Sequence, residues 1–284
     1  MPMSAPTPTP APVPLYAYTG GRPFDAAGPC VVFIHGALND HSVWTLAARW
    51  FAHHGHSVLA VDLPGHGRSH GPALPDVEAM ADAVLALLAE RGVQRAALVG
   101  HSMGSLIALE AASRAAPGAI SHLVMVGTAY PMRVSPALLA TAAQAPLAAI
   151  DQVVTFSHAS MAAKPSYPGP GAWLHGASRA LMRQVLARGA AAAGIEHNLF
   201  HHDFTACDRY THGLAAAEQL RSTADSDCRC SLIVGAQDRM TTPKQATMIA
   251  NALGAQVHTL QTAGHALMQE DPDGLLAALR RSLR

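Results

Sequence analysis

The chain has 284 residues, enough for one large α/β domain or two small ones, each with a real core. Half of the residues are apolar and only 13% are charged, and 19 basic side chains balance 19 acidic ones. That balance speaks against nucleic acid, which calls for a basic stripe, and leaves a small neutral substrate and self-association into a homo-oligomer open.

Residues 1–14, MPMSAPTPTPAPVP, alternate proline with small residues and are expected to form an extended, disordered leader. They have neither the basic start nor the apolar core of a signal peptide, which points to the cytoplasm. Cys30, Cys207, Cys228 and Cys230 would stay thiols there. No apolar run reaches the length of a membrane span. CVVFIH (Cys30 to His35) and SVLAVD (Ser57 to Asp62) read as buried strands, with a helix between them around Val43 to His54. A helix from Asp76 to about Glu90 follows, with Asp76 as N-cap and Gly92 as stop. RAALVG (Arg95 to Gly100) is a third strand, and the helix after it ends before Pro117. ISHLVMVG, CSLIVG and QVHTLQ complete the strand set, with helices near Pro243 to Leu253 and from about Ala266 to Leu283. Uniformly apolar strands separated by helices imply a mostly parallel sheet covered on both faces. Residues 129–226 break the rhythm. They are Ala-rich, helical in pattern, interrupted at KPSYPGPG (Lys164 to Gly171), and without a convincing strand, which suggests a helical lid inserted into a core of residues 15–128 and 227–284.

VGHSMGSLI (Val99 to Ile107) raises the chemical question. G-H-S-M-G fits a sharp strand-to-helix turn that lifts Ser102 above the sheet, with Gly100 and Gly104 where side chains would collide with backbone. Such a serine needs a base and an orienting acid. His265, in a Gly-flanked loop after the last strand, can serve as the base. Asp238, three residues past a strand end, can hold the imidazole, and the chain order Ser102, Asp238, His265 favours that reading over a turn aspartate. The N–H groups of Ala37, after the first buried strand, and of Met103, at the start of the next helix, could hold an oxyanion. His35 is expected to brace its turn.

HGALNDHSVW, VDLPGHGRS, GHSMGS, GAQDRMTTP and AGHALMQEDP together resemble the motifs of the α/β-hydrolase superfamily. The resemblance covers about residues 30–130 and 228–284. It implies nucleophile for Ser102, acid for Asp238, base for His265, oxyanion donors at Ala37 and Met103, and no cofactor. Ser102 stands where the superfamily's dehalogenases and epoxide hydrolases carry an aspartate nucleophile, which favours acyl transfer to water through an acyl-enzyme. The leading expectation for the small ester-type substrate is a carboxylic ester or lactone. Within the same fold the alternatives are hydrolysis of a carbon–carbon bond in a dienoic diketone and a haloperoxidase-type side reaction. Outside it stands a non-catalytic small-molecule receptor.

The remaining motifs read as structural. GHGRSHG (Gly65 to Gly71) lacks the third glycine of a dinucleotide fingerprint. CRC supplies only half a zinc site. His197 and His201 could share a metal with Asp203 or Cys207, but a polar helix face is the simpler reading. Trp173, Met182, Leu199 and Phe204 could give the lid its apolar contacts.

Overall fold

The computed structural model describes residues 14–160, 173–193, 198–222 and 227–284. The leader through residue 13, Lys164 to Gly171 and His197 lie outside the described residues. Seven strands form one sheet in the order β1-β3-β2-β4-β5-β6-β7. They are β1 (Ala17–Tyr18), β2 (Cys30–Ile34), β3 (Ser57–Val61), β4 (Ala96–His101), β5 (Ile120–Val126), β6 (Arg229–Gly235) and β7 (Gln256–Leu260). All pairings are parallel except that of β1 with β3. β1 is not among the strands expected from sequence, because a two-residue edge strand carries no periodicity.

Every residue of β2, β3 and β4 is buried, as the unbroken apolar runs require of strands covered on both sides. Alternate side chains feed two cores. Val32, Ile34, Leu59, Val61, Leu98 and Met125 pack against α2 (Val77–Glu90), α3 (Met103–Arg114) and α9 (Pro243–Leu253). Val31, Phe33, Val58, Val99, Val124 and Ile233 pack on the other face against α1 (Thr45–Ala52) and α11 (Pro272–Ser282).

Helix ends follow local chemistry. The Asp76 carboxylate accepts the Ala79 N–H at the start of α2, and Gly92 takes a φ of 69° just beyond its end. The helix expected over Val43 to His54 is a 3₁₀ turn, His41–Trp44, followed by α1. The expected final helix is two: α10 (Leu267–Glu270) and α11. Pro272 has no N–H to continue α10, and Asp271 caps α11 by accepting from Gly274.

Between β5 and β6 the described residues form α4 (Pro136–Gln144), α5 (Pro146–Ser157), α6 (Leu174–Ala193), α7 (Leu199–Arg209) and α8 (Gly213–Ser222), with no strand among them. Ala142, Ile150, Val153, Met182, Leu199, Phe200 and Phe204 form a third core. One residue from outside the segment, Leu38 in the loop after β2, is buried in it. No helix among the described residues is long and apolar enough to cross a membrane.

Candidate active site

The site is assembled from loops at the C-terminal ends of the parallel strands, where an α/β sheet opens its crevice. Ser102 stands between β4 and α3 with φ 53° and ψ −120°, a conformation that costs a non-glycine residue on the order of 1–3 kcal/mol. Its N–H donates to the Val126 carbonyl (2.9 Å). The two glycines permit this turn: a Cβ on Gly100 would land on the Gly104 carbonyl, and one on Gly104 would lie 2.5 Å from the carbonyl oxygens of Ile34 and His35. Neighbouring His101 is buried, and its Nε2 donates to the His265 carbonyl (2.9 Å). Burial, with His265 beside it, lowers its pKa to about 3, so the ring is neutral.

The structure brings His265 and Asp238 together. His265 Nδ1 lies 2.9 Å from Asp238 Oδ2 and 3.0 Å from Thr241 Oγ1. The Thr241 hydroxyl donates to the same carboxylate oxygen (2.8 Å), while Oδ1 accepts from the N–H groups of Met240 (2.7 Å) and Thr241 (2.8 Å). Burial alone would raise the Asp238 pKa. The charge and hydrogen bond of His265, with those from Thr241, outweigh it and hold the carboxyl below its ordinary range. Thr241 was not singled out by sequence. The signal available was its place three residues after Asp238, where a hydroxyl can bond back to a turn carboxylate.

The helices between β5 and β6 buttress these loops. The Ala266 N–H donates to Ser157 O at the end of α5 (2.9 Å). Buried Glu270 accepts from Gly264 N (2.7 Å) and Ala159 N (2.8 Å), clipping the His265 loop to the same helix end. Arg239 donates to the carbonyls of Thr155 (2.7 Å) and His158 (2.9 Å).

Ala37 follows β2 in a loop under several restraints. Buried His35 donates from Nδ1 to Gly36 O (2.8 Å) and accepts from Leu63 N at Nε2 (3.2 Å), a bracing role that burial enforces by lowering its pKa to about 4. Leu38 has φ 52°, and its N–H donates to Asp203 Oδ2 on α7 (2.8 Å). The same oxygen lies 2.9 Å from His66 Nε2, and both side chains are fully buried. Burial opposes their charges, but Asp203 outweighs it and raises the His66 pKa, while His66 lowers that of Asp203. Met103 begins α3, where the first N–H groups have no carbonyl of their own helix to bond.

Two cavities, of about 70 and 330 Å³, meet at Ser102 and His265, and Val153, Phe204 and Met240 line both. Ala37 lines the smaller, Thr241 the larger. Of the four apolar residues singled out by sequence, Met182 and Phe204 reach these cavities, Leu199 is core, and Trp173 is half exposed. Cys207 also lines the larger cavity, but burial pushes its thiol up, so it is no thiolate nucleophile. Asp203 is bound to Leu38 and His66 rather than offered to a metal beside His201. Among the described residues Asp40, His41 and Asp62 bring three ligand atoms within 4.8 Å. Asp62 is already taken by the N–H and Nδ1 of His41 and the Arg68 N–H.

Residues 31–278 match the alpha/beta hydrolase family. A curated relative, the pimeloyl-[acyl-carrier protein] methyl ester esterase of Methylococcus capsulatus, is 40% identical over 114 residues, 39% of this chain and 40% of its own. The match thus spans about two fifths of that relative's length. An esterase from Exiguobacterium antarcticum superposes with a TM-score of 0.74 at 16% identity, covering 95% of this chain and 94% of its own. The enol-lactonase of Burkholderia xenovorans gives 0.73 at 21% identity, covering 96% and 98%. On the match across its core, the chain belongs to the alpha/beta hydrolase family.

Proposed function

We propose that this protein is a serine hydrolase that cleaves a carboxylic ester or lactone through an acyl-enzyme on Ser102, with residues 129–226 as the lid over its site. The single observation that carries this reading is a serine with positive φ lining the same cavities as a histidine bound to a buried carboxylate. Ser102 Oγ attacks the carbonyl carbon while its proton passes to His265 Nε2. The carbonyl electron pair moves onto oxygen, where the N–H groups of Ala37 and Met103 receive it. Collapse breaks the carbon–oxygen bond, and His265 returns the proton to the leaving alkoxide. Water then attacks the acyl-enzyme, giving its proton to His265. A second collapse releases the acid and restores the Ser102 hydroxyl. Asp238 fixes the tautomer and steadies the imidazolium throughout.

The curated relative is named for an ester cleavage, which agrees with this reading. All four cysteines are free, in keeping with a reducing cytoplasm. The test is turnover of purified protein on a panel of p-nitrophenyl esters, alkyl esters and lactones. Ser102→Ala should lower kcat by at least about 10⁴-fold. Wild-type rates in that variant would refute the reading.

A further inference from the structure

We propose that Asp203, carried on α7, is a positioning residue that sets the oxyanion-binding loop through the Leu38 N–H, so that the segment covering the cavity also assembles the group that receives negative charge. The inference rests on the reading of Ser102 as nucleophile and Ala37 as oxyanion donor.

The peptide unit joining Ala37 to Leu38 is held at both ends. Its N–H donates to Asp203 Oδ2 (2.8 Å), and its carbonyl accepts from Asn39 Nδ2 (3.0 Å). The residue after that peptide has positive φ and no glycine to ease it, a conformation that persists only where its surroundings impose it. The Leu38 side chain is equally committed. It is fully buried in the core of the inserted helices, beside Ile150, Phe200 and Phe204. Backbone and side chain of Leu38 are therefore both gripped by the same segment, and neither grip comes from the sheet.

The acceptor has to be a carboxylate to satisfy its neighbours. Oδ2 receives two donors, Leu38 N–H and His66 Nε2, and Oδ1 lies 3.3 Å from His202 Nδ1. An amide has one oxygen for three donors. Phe204, the next residue along α7, lines both cavities. The helix that would touch substrate is thus the helix that holds the oxyanion loop, and a displacement of α7 would move both.

The experiment compares wild type, Asp203→Ala and Asp203→Asn, each checked for folding by circular dichroism. Three readouts are kcat, KM and the carbonyl stretching frequency of an acyl-enzyme formed from a slowly hydrolysed aryl ester. A misplaced oxyanion donor should lower kcat by about 10- to 100-fold in the alanine variant, by analogy with loss of a donor outright. It should leave KM within about twofold and move the acyl carbonyl band to higher frequency. The asparagine variant keeps the volume and one acceptor, and should show a smaller but measurable loss, at least about threefold, with the same direction of band shift. Wild-type kcat and band position in Asp203→Asn would overturn the proposal, even if the alanine variant were lost to unfolding. A purely structural role would lower thermal stability and leave the band in place. Labelling of wild type by a fluorophosphonate separates the two readings. If Ser102 labels but the Asp203 variants keep their rate and band, only the positioning role falls; if Ser102 does not label, the nucleophile reading falls first.

Discussion

Among the described residues, the two non-glycines with positive φ are Leu38 and Ser102; Ser102 lines the smaller cavity, and so do Ala37 and Asn39 on either side of Leu38. Strain of that kind concentrates where geometry is imposed by chemistry rather than by propensity. Ser102, Asp238 and His265, which the structure gathers around the two cavities, stand out in the sequence because each follows a strand and sits in a motif with a local signature. Thr241, Asp203 and Glu270 do not, because their importance comes from contacts made across the fold. The Leu38–Asp203 bond joins residues 165 positions apart. Thr241 offers a clean test at this scale. Replacing it with valine keeps the shape but removes one donor from the Asp238 carboxylate and one oxygen beside His265 Nδ1. A hydrogen bond to a charged group contributes about 1.5–3 kcal/mol. Steady-state kinetics of Thr241→Val should show kcat reduced about 10-fold with KM nearly unchanged; an unaltered kcat would make the hydroxyl dispensable.

At the scale of elements, the end of α5 is where the inserted helices meet the chemistry. Its last turn and the residues after it bond to the His265 loop, to Glu270 and to Arg239. In Glu270→Ala, the N–H groups of Gly264 and Ala159 both lose a buried acceptor, at about 1–3 kcal/mol each. We expect a lower melting temperature and a reduced kcat, with Glu270→Gln intermediate because one carbonyl oxygen remains. Equal kinetics for both variants and wild type would dissociate the buttress from catalysis. Gly104→Ala is expected to fail more abruptly, since its new methyl would meet two β2-end carbonyls; a soluble variant with wild-type melting would contradict the close packing of α3 on β2. The long apolar strands and amphipathic helices are legible in sequence, because their periodicity repeats over many residues. β1 is not legible there, since its pairing is decided by the edge of β3, nor is the break at Asp271-Pro272, where a missing N–H starts a new helix.

Across the whole molecule, buried histidines set the response to pH. His35 and His101 have pKa values lowered to about 4 and about 3, so the unfolded chain binds protons that the folded chain refuses. Their contribution is present above about pH 6.5 and is lost as pH falls toward those values. His66 has the opposite sign: its raised pKa adds stability that is complete below about pH 6.5 and fades as pH rises through its folded value. Between pH 6.5 and 4.5 only the losses operate, and the two neutral rings act in the same direction. Denaturant unfolding should therefore show stability falling steeply across that interval, and a flat profile would contradict the neutral state of His35 and His101. The change of rhythm after residue 128 corresponds to the run of helices between β5 and β6 among the described residues. How α7 reaches back to Leu38 and His66 is not legible in sequence, since it depends on packing that no local pattern encodes. The proposed chemistry begins at one atom, Ser102 Oγ. The most direct measurement is reaction of the full chain with a fluorophosphonate, followed by mass spectrometry of its peptides. One adduct per chain is expected on Ser102, absent in Ser102→Ala and strongly slowed in His265→Ala. A chain that stays unlabelled, or that labels on another residue at the same rate, would contradict it.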